Sequence, residues 1–234
     1  MADAEEKAPG LDVDMDLADK AFAELRDLGT WLIDSEPKHS WFAPLLVHLV
    51  HSNLSEYQHL RTGYAKSMPF LAWACRNMLE LDIITQHVLK SEKDAKDFAD
   101  DRFTDGLQFF ESFKTWSEFS DPGFATPALD QTIAWIREQI ANEGVTRKSY
   151  LKVRDLASGV LAEEYQHLNK VTSKLIHPTA WSVLSMREEG ELLFLKPIFF
   201  HAGVRHGVEL SYRIRQHLKE FGPEPRPRPA APSP

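Results

Sequence analysis

Cysteine is nearly missing from this chain: Cys75 is the single one in 234 residues. One thiol closes no intramolecular disulfide and builds no multi-Cys zinc site. It ends the apolar run Phe70-Leu-Ala-Trp-Ala-Cys75, where a buried, inert thiol is expected. That six-residue run is also the longest uninterrupted apolar stretch. Spanning a bilayer takes ~20 such residues, so no membrane role is expected. Cations are in the minority, with 27 Lys and Arg against 35 Asp and Glu and a net charge of −8. This argues against bulk electrostatic binding to double-stranded DNA. The opening Met-Ala-Asp-Ala-Glu-Glu is acidic and runs into no apolar segment, which does not read as a secretory signal. A reducing, cytoplasmic setting is therefore expected. The sequence also lacks a Gly-rich phosphate loop, a Gly-x-Ser-x-Gly elbow and a Cys–His nucleophile arrangement.

What is present is a globular composition, 43% hydrophobic and 26% charged, with six Trp and 14 Phe to fill a core. The ends differ from the middle. Residues 1–13 are small and charged and read as disordered. Residues 222–234 hold six of the 14 prolines, and a segment so short of donors reads as a disordered, polyproline-type tail. Charge is uneven too, since the first 27 residues carry nine acids against three bases.

Between these ends, residues 14–221 read as one all-α bundle of about seven helices with at most one short hairpin. Leu17, Ala21, Leu25, Leu28 and Leu32 make the stripe of a first helix. Ser40 is placed to cap a second. Pro69 suits the first turn of a third, which runs to about Lys90, is apolar nearly all round and is expected at the centre. Ser91-Glu-Lys-Asp94 resembles a capping box for a fourth helix, whose stripe closes on Leu107, Phe110, Phe113 and Trp116. Asp121-Pro-Gly breaks the chain before a fifth helix that Gly144 ends. A sixth is expected from Thr146 to Ile176, stopped by Pro178. Leu192–Leu195 reads as a short strand or hairpin arm, and a last helix spans about 198–221.

Two patterns carry chemistry. Glu56-Tyr-Gln-His-Leu60 recurs as Glu164-Tyr-Gln-His-Leu168, at an offset that also matches Lys66 with Lys174, Ala72-Trp73 with Ala180-Trp181, and Glu80 with Glu188. On a helix, i and i+3 share a side, so each pair can grip one metal. Two such pairs, with carboxylates from two other helices, build the di-iron or di-manganese site of ferritin-like bundles, which these short motifs resemble. The expected ligands are Glu56, His59, Glu80, Glu164 and His167, with Glu24, Glu111 or Glu138 as a further carboxylate, and Fe or Mn as the metal. The equivalence weakens at Glu188, which lies in the turn-like Arg-Glu-Glu-Gly-Glu. The competing reading makes both motifs solvated helix faces.

The second pattern is the polar stripe Arg76, Asn77, Glu80 and His87 of the central helix, together with Ser173-Lys-Leu-Ile-His177-Pro178. Arg76 and Glu80 are spaced to pair, and Ser173 and His177 share a face. Ala74-Cys-Arg76-Asn-Met-Leu-Glu80-Leu, followed by the Ser173–Pro178 motif, resembles a group of bacterial helical proteins similar to HEPN domains. That resemblance implies an all-α fold and a role in a bacterial defence or regulatory system, acting on RNA or through a protein partner. HEPN ribonucleases carry an Arg with a His shortly after it. Here Arg213 and His217 come nearest, with three residues between them, so the usual motif is missing. Arg76 and His177 are the substitute catalytic pair, with Glu80 and Ser173 beside them. The structural alternative is a polar network tying two helices together. The last helix is locally basic, with Arg205, His206, Arg213 and Arg215 among its residues, and His48 and His51 have no evident carboxylate partner. An aromatic-rich helical surface also admits a homo-oligomeric scaffold.

Overall fold

A computed structural model describes residues 13–34, 42–116, 126–146, 150–177 and 192–221. These form eight α-helices and no strand: α1 Met15–Asp34, α2 Phe42–Lys66, α3 Met68–Val88, α4 Glu92–Thr115, α5 Thr126–Asn142, α6 Val153–Leu156, α7 Val160–Ile176 and α8 Leu195–Phe221. The fold is all-α. No helix among the described residues is long and apolar enough to cross a membrane. The chain divides into two compact units. The first holds the described residues up to Gln86 and from Ala157 onward; the second is His87–Leu156. Neither boundary carries a Pro-, Gly- or Ser-rich linker, so composition marks neither.

The first unit is built around α3. Leu71, Ala72, Ala74, Cys75, Met78, Leu79 and Ile83 have no exposed surface, so their positions cover several faces of the helix. One residue, Ser67, separates α2 from α3. The Ser67 N–H donates to the Gly63 carbonyl at 2.9 Å, and the Leu71 N–H to the Ser67 carbonyl at 2.9 Å. A Cβ at Gly63 would stand 2.5 Å from the Leu71 nitrogen, so only glycine permits this turn. α1 packs on α2, and α8 packs on both. Phe22, Leu25, Leu28 and Leu32 supply the α1 face, with Asp14 accepting the Leu17 N–H at 2.9 Å to cap the helix. On α8, Gly203 and Gly207 are filled from outside. Leu60 seats against the first, and the Phe22 ring and Met78 methyl against the second.

In the second unit, Ser91 caps α4 as expected, accepting the Asp94 N–H at 3.0 Å. Ion pairs Lys114–Asp130 (2.5 Å) and Arg137–Glu111 (2.7 Å) tie α4 to α5. The stripe of α4 is less buried than its pattern suggests. Phe109 and Trp116 are exposed; the Phe109 ring meets Phe110 and Phe113 edge-to-face, and Phe113 meets Trp116 at a tilt.

Two expectations are corrected. The helix read from Thr146 to Ile176 is two helices, α6 and α7, because Gly159 takes φ +59 and starts α7 afresh. Leu192 to Phe194 is a 3₁₀ turn leading into α8, not a strand; Pro197 falls in the first turn of α8, where its missing N–H costs nothing. The Ser40 cap, the Asp121-Pro-Gly break, residues 178–191 and both termini (1–12 and 222–234) lie outside the described residues.

Candidate functional site

The polar stripe of α3 pairs partly within itself and partly with residues of α7 and α2. Arg76 Nε donates to Glu80 at 2.8 Å, and the Tyr165 hydroxyl of α7 donates to the same Glu80 oxygen at 3.4 Å. Burial opposes the charge on Arg76, but the hydrogen bond and charge of Glu80, with Tyr165, outweigh it and raise its pKa. Tyr165 is raised as well, first by burial and then by the Glu80 charge. Asn77 instead donates to Glu56 on α2 at 3.2 Å.

Ser173 and His177 lie elsewhere on α7. His177 is exposed and closes the helix, its backbone N–H donating to the Ser173 carbonyl at 3.1 Å. α7 runs antiparallel to α3, since Ser158 bonds Gln86 (3.3 Å) and Tyr165 bonds Glu80. His177 is twelve residues beyond Tyr165, whereas Arg76 is four before Glu80. At 1.5 Å per residue the axial gap between Arg76 and His177 is ~12 Å. The structure thus joins Arg76 with Glu80, and Ser173 with His177, as two separate pairs.

The repeated Glu-x-x-His motifs diverge. Glu56 and His59 lie 3.3 Å apart, and the His59 ring leans on Phe70 and Trp73. On α7, Leu161, Tyr165, Thr172 and Leu175 set the buried face. Glu164 adjoins that face, whereas His167 is turned ~120° from its centre. His167 is 77% exposed and stands 3.9 Å from Glu163. The five expected ligands therefore fall into separate hydrogen-bonded and ion-paired groups. Among the described residues, no group of three or more His, Cys, Asp or Glu is arranged to hold a metal. Glu188, Ala180 and Trp181 of the proposed repeat lie outside the described residues.

Another polar cluster of the described residues lies further along α3, at Asp82. This carboxylate has no exposed surface. One oxygen accepts from Arg213 Nε at 2.8 Å, and the other lies 3.1 Å from Nδ1 of the equally enclosed His206. His206 Nε2 is 3.3 Å from Glu164, which also pairs with Arg205. An Asp–His–Glu chain thus joins α3, α8 and α7, with a guanidinium at each end. A carboxylate this dry is stable only when both its oxygens are hydrogen-bonded, and here both are. The cluster's members other than His206 line a cleft of about 410 Å³, together with Gln86, Ser158, Gly159, Val160, Leu161 and Glu209. That size is within the range of small-ligand sites.

Two earlier signals bear on this cluster. Arg205, His206 and Arg213 stood out as a basic stretch, and Glu164 as a metal ligand. Asp82 did not stand out at all. Its signal was a lone acid between Leu81 and Ile83 in the driest helix, which requires a buried basic partner. Comparison with family models finds no match, and neither does comparison with curated proteins or with solved structures.

Proposed function

We propose that the first unit is a HEPN-like bundle of a bacterial defence or regulatory system that binds single-stranded RNA in the α3/α7/α8 cleft without cutting it. The supporting observation is the pair of arginines lining the cleft, each fixed on a carboxylate behind it. A guanidinium anchored through one edge keeps its other donors for phosphate and base. Binding without cleavage is favoured because His206 is fully enclosed, with both ring nitrogens on carboxylates. It has no opening through which to take a proton from a ribose hydroxyl.

Fluorescence anisotropy with a labelled single-stranded RNA tests this. Arg205, half exposed, is the first target, because Arg205→Ala leaves the buried Asp82 contacts in place. Losing a phosphate contact should weaken binding and lower the salt slope by about 0.7. Absence of RNA binding by the wild-type chain, or an Arg205→Ala variant with unaltered affinity and slope, rejects the reading. Recovery of a protein partner in place of RNA rejects it as well.

A further inference from the structure

Along α8, Arg205, Glu209 and Arg213 follow one another at four-residue steps and all line the cleft. Glu followed by Arg at i+4 is the spacing at which the two ordinarily pair. Here they do not. Arg213 turns its Nε to the buried Asp82 at 2.8 Å, and Arg205 is taken by Glu164. Glu209 receives no hydrogen bond or ion pair from any described residue, and neither Nη group of Arg213 has a partner among them. The cleft therefore presents an open acceptor beside an open pair of donors, roughly 5–6 Å apart at their Cβ atoms.

A phosphate alone complements only the arginine half of this arrangement and meets repulsion from Glu209. The fitting ligand carries donors and acceptors next to one another. Guanine does: N1–H and the N2 amine are donors, and O6 and N7 are acceptors next to them. Arginine on O6 and N7 is a standard specific contact, and unstacked bases are read along such edges in single-stranded RNA. Uracil offers one donor between two acceptors and fits half as well. Adenine and cytosine put an unprotonated ring nitrogen against the carboxylate.

We propose that the cleft reads a guanine base, with Glu209 accepting from N1–H and the N2 amine and Arg213 donating to O6 and N7. This rests on the RNA reading above and names the base that the same site would select.

Calorimetric titration of the full chain with GMP, UMP, AMP and CMP tests the order. GMP should bind about tenfold or more tighter than AMP and CMP, with UMP between. Glu209 has no partner to lose among the described residues, so Glu209→Gln should keep the wild-type melting temperature while bringing GMP and AMP within about threefold. Glu209→Ala should act the same way. Equal affinities for the four nucleotides, no binding at millimolar concentration, or an unchanged order in both variants overturns the proposal. So does tighter binding of L-arginine, whose cation and carboxylate also match the two groups. RNA binding with no guanine preference removes this inference and leaves the RNA reading standing. A GMP preference without RNA binding does the reverse.

Discussion

Replacing Asp82 with alanine is the sharpest test of the buried cluster. Asp82 holds two partners, Arg213 Nε at 2.8 Å and His206 Nδ1 at 3.1 Å, and the carboxylate has no solvent exposure. Hydrogen bonds to charged groups contribute ~1.5–3 kcal/mol each, so losing both costs ~3–6 kcal/mol. Removing one partner of a buried ion pair independently costs ~3–5 kcal/mol. Arg213 is 28% exposed and can turn toward water, whereas His206, at 0%, cannot. That asymmetry places the expected loss at ~3–4 kcal/mol, most of it from the stranded imidazole. Urea unfolding followed by circular dichroism reads the change as a drop in midpoint at constant slope. A chain of this length loses ~2–4 °C of Tm per kcal/mol, so melting should fall by at least ~6 °C. Adding His206→Leu should recover part of the loss, because the unpaired imidazole is then gone. A loss below ~1 kcal/mol for Asp82→Ala, or no recovery in the double variant, refutes the argument.

Two further outcomes follow from packing and burial. Gly207→Ala puts a methyl group into the Phe22 ring and the Met78 methyl. It should cost ~1–3 kcal/mol by overpacking, read in the same urea assay, whereas a merely propensity-driven Gly→Ala change in a helix would stabilise. Cys75 is held protonated, its thiol pushed up from 9.0 to about 12, first by burial and then by the Glu164 charge. A folded-state value above the unfolded one contributes stability that is complete below pH 9 and drains away as pH rises toward 12. Melting measured across that window should therefore fall less steeply in Cys75→Ala than in the wild type, and identical slopes would discount the thiol.

The sequence by itself determined the helices, because the information for them is local. The stripe from Leu25 to Leu32, the Ser91–Asp94 cap and the proline in the first turn of α3 each act within a few residues, and each lies in the helix expected of it. It also determined that Arg76 would meet Glu80, a pairing set by helical pitch alone. Where packing overrides a local signal, the structure differs. Gly159 divides one expected helix into two, and the Glu164–His167 motif splits because a helix face is defined by what packs on it. Only the tertiary structure decided the candidate site. Asp82 and His206 are 124 positions apart, and Asp82 and Arg213 are 131. No periodicity links them. They meet because α8 packs against α3 in the folded bundle, and a carboxylate sealed among apolar side chains is stable only where that helix delivers an imidazole and a guanidinium to it.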